Sequence, residues 1–305
     1  MVKFRNAVSA FKALNGVICV YKPSCVPVQQ VKHTIITNLC KELNELPHEQ
    51  ERRVEIVGPT NKPMTVRLAP NYADDPLVSG PRFMNEDFRS SSALHLGLFS
   101  SGVLLIGING GTRLTYNINQ ARLTRAYKIH GVLGRATDTY FWNGKLVEKS
   151  TYNHVTREKI DNVVAHMQAA HQKTMFDLAG VHMDSQAMYD VASQGPIRPT
   201  NSKLPVIYGL RCVYFQPPHF TLEVQAINEY DKYLWTLVHD LGYQLKSSAH
   251  CVGVQCIRHG KFDVQLALLR KHWQLGHIVH NMDQCGQIIE DNVALIRPET
   301  ARLKM

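Results

Sequence analysis

The chain has 305 residues, 44% of them hydrophobic, with 34 Lys and Arg against 25 Asp and Glu, a net charge of +9. That is enough for one large domain or two small ones with a real core, and the basic excess suits polyanionic partners: nucleic acid or an anionic membrane surface. The longest apolar runs, such as residues 102–108, are too short to span a bilayer, and the seven scattered cysteines, an odd number without a C-x-x-C, argue against a disulfide framework and for a reducing compartment.

Residues 1–41 hold Lys3, Arg5, Lys12, Lys22, Lys32 and Lys41 and no acid. "MVKFRNAVSAFKALNG" sets Phe4, Val8 and Phe11 to one side with bases between them. This suits a short amphipathic mitochondrial targeting segment over 1–15, and equally an ordinary basic first helix. "GVICVYKPS" is a β-rich run ended by proline, so a strand entering a turn. In "VKHTIITNLCKELNEL", Val31, Ile35, Leu39 and Leu43 have helical spacing. Residues 47–83 are polar and proline-bearing and are expected to form an irregular peripheral insertion.

"SSGVLLIGINGG" reads as a buried strand with a glycine-rich exit, and "RAYKIHGVLG" as a second strand. Thr156 caps a helix whose buried stripe is Ile160, Val163, Val164 and Met167. Asp184 caps another, "SQAMYDVASQG", closed by Gly195 and Pro196. "LPVIYGLRCVYF" and "HFTLEVQAI" form a hairpin around Gln216-Pro217-Pro218. "YDKYLWTLVHDLGYQL" is helical, with Leu234, Leu237, Val238 and Leu241 inward. "VGVQCIRHGKF" is a last strand, after which Asp263 is expected to cap a helix over Val264–Trp273. Helices and strands do not alternate strictly. The expectation is therefore an α+β fold: one domain over 16–285, a mixed, largely antiparallel sheet flanked by helices, and a tail over 286–305.

Three site chemistries can be weighed. "GINGG" follows a strand, but G-x-G-x-x-G does not fit and the following region is basic where a ribose-binding acid belongs, so a dinucleotide site is set aside. His272, His277 and His280 cluster without further ligands, so no metal is expected there. The third is a nucleic-acid surface. From Phe88 to Thr137 there is no Asp and no Glu, while Arg89, Arg113, Arg122, Arg125, Lys128 and Arg135 fall inside. Arg122, Arg125, Lys128 and Arg135 surround Tyr127, with Tyr116 nearby. Bases of this kind meet phosphates, and an aromatic face can stack a nucleobase.

Five segments, "NGVICVYKPS", "SSGVLLIGINGGTRL", "RAYKIHGVLGRATDTYFWNGKL", "AMYDVASQGPIRP" and "LVHDLGYQL…IRHGKF", resemble in order those of TruB-type RNA pseudouridine synthases. The likeness runs from about Gly16 to Phe262 and is greatest to the mitochondrial animal branch, the TruB-like 2 proteins. The resemblance implies the pseudouridine synthase fold, RNA as partner, a mitochondrial matrix location and no cofactor. It implies a uridine flipped out of RNA, an aspartate that attacks covalently, an arginine that holds it ionised, and a tyrosine that stacks on the base. Tyr127 matches the tyrosine. The aspartate precedes an "A-S-G-V-L" run, and counting back from "SSGVLL" places Gly97 there. The arginine opens the helix that here reads "YLWTLVHDLG", which places Trp235 there.

Both members of the implied ion pair are thus absent. Losing only one would leave an uncompensated charge, costly if buried. The main expectation is an RNA-binding family homologue without synthase activity, contacting mitochondrial mRNA or rRNA through Lys22, Arg113, Arg122, Arg125, Tyr127, Lys128 and Arg258. No carboxylate is then expected within about 5 Å of the Tyr127 hydroxyl. A second expectation is an active synthase with Asp87 or Asp138 brought into the pocket. A third is a protein-interaction scaffold in RNA granules or ribosome assembly, with Trp235 filling the old pocket.

Overall fold

The structure is a computed structural model that describes residues 4, 6–47, 52–58, 64–70, 76–93, 95–178, 186 and 204–295. Helix α1 (Ala7–Ala13) begins at Asn6, whose side-chain oxygen accepts the Val8 N–H at 2.8 Å, one of the bonds a helix start otherwise lacks. Ala10 and the following Leu14 are buried in the main core, so residues 7–14 pack against the domain. Strand β1 (Gly16–Lys22) is buried along almost all its length. Helix α2 (Val28–Glu45) buries Val31, Ile35, Leu39 and Leu43, the stripe its spacing predicts.

The region expected to be irregular instead holds a hairpin, β2 (Arg52–Val57) and β3 (Thr65–Pro70), separate from the main sheet. Its cross-strand pairs Val54–Leu68 and Ile56–Val66 supply apolar contacts between the two strands. All four residues are exposed. A short helix α3 (Pro76–Ser79) and strand β4 (Ser90–Ser92) follow.

The central elements are β5 (Ser101–Ile108), α4 (Gly111–Gln120), β6 (Arg125–Leu133), β7 (Arg135–Thr137), β8 (Leu146–Lys149), α5 (Arg157–Leu178), β9 (Val206–Gln216) and β10 (His219–Ile227). Then come α6 (Asp231–Gln244), β11 (Ala249–His259), β12 (Phe262–Asp263) and α7 (Leu275–Asp291). The main sheet runs β1-β5-β11-β6-β10-β9, with β4 on β5 and β12 on β11. Among the described residues its pairs are antiparallel except β5 with β11. The fold is α+β with a mixed, largely antiparallel sheet, as the sequence predicts.

Thr156 accepts the Lys159 N–H at the head of α5, and Ile160, Val164 and Met167 are buried beneath it. In α6, Leu234, Leu237, Val238 and Leu241 face the core. The helix capped by Asp184 lies outside the described residues.

One predicted helix is corrected. Asp263 Oδ1 accepts the N–H groups of Gln265 and Leu266, each at 3.1 Å. The bonds close a turn instead of opening a helix. The chain then runs beside β1, where the Tyr21 N–H donates to Leu268 O and the Leu268 N–H donates to Cys19 O, both at 2.9 Å. Those backbone groups are spent on the sheet, so Val264–Trp273 cannot form one α-helix. The stretch holds only a 3-10 turn at Arg270–His272, and the helix starts at Leu275. It continues past residue 285, with Ile289 buried.

Candidate nucleic-acid cleft

The loop before β5 is held from below by the Y-K-P-S turn. Lys22 ends β1 opposite Gly102. Its Nζ, fully buried, donates to the carbonyls of Ser100 at 2.5 Å and of Leu98 and Pro23, each at 3.2 Å. Burial pulls the ammonium down to about 8, with Asp231 opposing that shift. Ser24 Oγ donates to Phe99 O, and the Cys25 N–H to Leu98 O. Gly102 enters β5 at a φ of 113°, and a Cβ there would overlap the Cys256 backbone of β11. The glycine of "SSG" is therefore demanded by the parallel β5–β11 junction.

A cleft of about 420 Å³ opens beside this loop, lined by Ser92, Ala93, His95, Gly97, Asn119, Arg125, Glu229, Tyr230 and Asp231. It is within the usual size range of ligand pockets. Gly97 sits in its wall without a side chain. The volume a Cβ would need there is taken by the Asp231 carboxylate, whose Cγ lies 2.7 Å from that position. Asp231 opens α6, where a carboxylate suits the helix dipole. Its Oδ1 accepts a 2.6 Å hydrogen bond from Ser100 Oγ.

Tyr127 lies behind the cleft. Its ring belongs to the main core and is 3% exposed. Its hydroxyl donates to Glu229 Oε1 at 2.5 Å, and the same oxygen pairs with Arg125 Nε at 2.6 Å. Burial pushes the Tyr127 phenol well up, and Glu229 adds to it. Glu229 Oε2 is buried and has no hydrogen-bond partner among the described residues. The expectation that no carboxylate stands near this hydroxyl is thus overturned. Glu229 comes from the short link between β10 and α6, about a hundred residues away in sequence, so the acid-free stretch around Tyr127 gave no sign of it. His259, paired with Arg125 across β11 and β6, is buried and drawn down to about 3, chiefly by burial and then by Arg125.

The other predicted residues fall in different places. Lys22 and Tyr127 are buried, and Arg125 is committed to Glu229. Arg113, Lys128 and Arg258 are exposed, and Arg122 is half-buried. Tyr127 and Lys128 are adjacent on β6 and so face opposite sides of the sheet. Tyr127 meets Cys256 and Val224 on the core side, and Lys128 meets Gln255 and Glu223 on the other. The basic cluster read around Tyr127 is therefore split by the sheet.

Neither acid proposed for rescue enters the cleft. Asp87 Oδ2 accepts the Met84 N–H, and Asp138 Oδ1 accepts the Lys145 N–H. Trp235 packs into an aromatic cluster, its ring 4.6 Å from Phe141 and 6.5 Å from Phe99, and is not a lining residue of the cleft. Sequence reasoning missed Glu229 and Asp231. The one available signal was two acids, Glu229 and Asp231, flanking Tyr230 at the head of a helix.

The sequence pattern of the TruB family pseudouridylate synthase N-terminal domain matches residues 95–230. The chain is 38% identical over 287 residues to the mitochondrial pseudouridylate synthase TRUB2 of Xenopus tropicalis, covering 92% of this chain and 88% of that protein. It is 38% identical over 273 residues to the mitochondrial pseudouridylate synthase TRUB2 of Homo sapiens, covering 87% and 82%. A chain of the solved archaeal box H/ACA sRNP Nop10-Cbf5 complex aligns at 14% identity with a TM-score of 0.48, covering 94% of this chain and 61% of that chain.

Proposed function

The chain belongs to the TruB family of pseudouridylate synthases, in its mitochondrial TRUB2 branch, and from that premise we propose that it binds uridine-bearing RNA in the mitochondrial matrix without isomerising it. The observation that carries this reading is the state of Tyr127. A ring 3% exposed and tied through its hydroxyl to Glu229 has no face on which a flipped base can stack. Residue 97 adds no acid of its own. Glu229 is a poor substitute, because one oxygen serves Tyr127 and Arg125 and its side chain is only 1% exposed. Elsewhere, loss of a nucleophile has lowered the turnover rate by about 10⁶-fold.

RNA binding is supported by the net charge of +9 and by the exposed Arg113, Lys128 and Arg258. The cleft presents Tyr230, 59% exposed, as a ring that a base can reach. The protein would then serve as an RNA-binding or assembly factor on mitochondrial mRNA or rRNA, needing no cofactor.

One observation favours a second reading. Asp231 is only partly buried, lines the cleft, and holds its carboxylate in the volume of the missing side chain. An acid delivered from α6 instead of from the loop would make the chain a synthase with a relocated carboxylate.

The test is purified full-length chain mixed with mitochondrial RNA, read for both binding and pseudouridine. The expected result is binding whose affinity falls steeply with salt, with no pseudouridine formed. Product that vanishes in Asp231→Asn would establish the relocated acid and overturn the inactive reading. Absence of RNA binding would overturn both and leave the scaffold reading.

A further inference from the structure

Trp142 is 55% exposed although its neighbour Phe141 is 1% exposed. Phe141 anchors the turn between β7 and β8 in the core, stacked on Trp235 at 4.6 Å. Its backbone is fixed on both sides. The Tyr140 N–H donates to Thr137 O, the Gly144 N–H to Phe141 O, and the Asp138 N–H to Lys145 O. Asp138 Oδ1 closes the turn by accepting the Lys145 N–H at 2.8 Å. With Phe141 pinned inward, the indole of Trp142 is turned outward, on a turn held by these bonds and by those of the Thr137 and Thr139 hydroxyls to the Phe141 backbone. A single exposed apolar residue needs no explanation. A large ring presented on a rigid turn is different, because little conformational freedom is lost when something stacks on it.

The same hairpin carries Arg135 and Lys149, paired across β7 and β8, and Lys145 in the turn, all exposed. The ion pairs formed among the described residues involve other arginines. The acids present are Glu148 and Asp138, the second committed to the turn. Cations and an exposed aromatic face on one hairpin supply what a single-stranded nucleic acid needs: phosphate partners and a stacking plane. The ring contacts run from Trp142 through Phe141 to Phe99, whose loop borders the cleft.

We propose that Trp142 is a stacking platform for an unpaired base of the bound RNA, with Lys145, Arg135 and Lys149 meeting the neighbouring phosphates. The inference rests on the reading that the chain binds RNA, and gives that reading a base-contacting surface in place of the buried Tyr127.

The test is titration of the full-length chain with a short single-stranded, uridine-rich RNA, followed by tryptophan emission and by affinity. Trp235 and Trp273 are half-buried and buried, so quenching reports chiefly on Trp142. Expected are quenching in the unaltered protein and about tenfold weaker binding in Trp142→Ala, equivalent to about 1.4 kcal/mol. Trp142→Tyr should restore most of the affinity. Lys145→Ala should flatten the salt dependence, and Trp142→Ala should leave its slope in place. RNA binding that is intact and equal in Trp142→Ala overturns the platform alone and leaves the RNA reading in place. No binding by any of these proteins overturns the RNA reading itself.

Discussion

Gly97 and Asp231 share one volume: the carboxylate of a helix-opening residue occupies the space that a side chain on the cleft loop would fill. The two positions are 134 residues apart in sequence, and Ser100 joins them by its hydrogen bond to Asp231. The glycine therefore has a packing role of its own. It is the condition under which Asp231 can sit against the loop.

That relationship predicts what happens when an aspartate is placed at residue 97, where the sequence resemblance implies one. In Gly97→Asp the new side chain meets Asp231, and two carboxylates must share one site. Overpacking of this kind costs about 1–3 kcal/mol, and like charges at contact oppose joint ionisation. The variant should melt lower than the unaltered protein and make no pseudouridine. Gly97→Asp combined with Asp231→Gly should recover the lost stability. Equal melting temperatures for the unaltered protein and Gly97→Asp would show that the shared volume imposes no constraint.

Trp235→Arg, the change that the resemblance suggests at this position, is expected to destabilise the chain for a different reason. The indole is packed with Phe141 and Phe99. Replacing it by a guanidinium removes aromatic contacts and places a charge among rings. Loss of a large aromatic costs about 3 kcal/mol or more in a well-packed site. Urea unfolding should show a lower midpoint for Trp235→Arg and a much smaller change for Trp235→Phe. If both variants unfold alike, the cluster does not depend on its apolar character.

These two variants also mark where the sequence was readable. Period-2 and period-3.6 patterns found β1, β5, β6, the β9–β10 hairpin and helices α2, α5 and α6, because each buries one face against the same core. The C-terminal helix was misplaced because Asp263 makes the same local bonds in a turn as at a helix start. The cleft was half legible. The motifs drew attention to Gly97 and Tyr127, of which Gly97 lines the cleft and Tyr127 lies behind it; the acids beside them come from the β10–α6 link, and only the folded chain brings Asp231 to Gly97 and Glu229 to Tyr127. Alternation along β6 should have separated Tyr127 from Lys128, yet a cluster of bases around one aromatic hid it.

The Tyr127–Glu229–Arg125 arrangement predicts an asymmetry between two substitutions. Tyr127→Phe removes one donor from Glu229 and leaves the ion pair with Arg125, a cost of about 1–3 kcal/mol. Glu229→Ala leaves the Arg125 guanidinium without its partner in a side chain only 12% exposed. Breaking a buried pair in this way costs about 3–5 kcal/mol. Denaturant unfolding should therefore rank Glu229→Ala well below Tyr127→Phe. The reverse order would mean that the hydroxyl, and not the ion pair, organises this part of the core.

The same region sets an acid limit on stability. His259 is held neutral down to about pH 3 by burial, with the Arg125 charge adding to the effect. Its ordinary value is 6.5, so on unfolding it gains a proton anywhere between those two values. The folded-state pKa lies below the unfolded one, so this contribution is whole above pH 6.5 and is lost as pH falls. The slope from this one group approaches about 1.4 kcal/mol per pH unit. His130 and His171, both shifted down by burial, act in the same direction. Between about pH 7.5 and about pH 5, His259 alone should remove about 2 kcal/mol from the unfolding free energy. His259→Leu, which cannot take up the proton, should lose correspondingly less over that interval whatever its absolute stability. Denaturant midpoints at the two pH values measure the difference in slope. Parallel slopes for the two proteins would mean that His259 titrates in the folded chain as freely as in the unfolded one, and that water reaches the Arg125–Glu229 pair.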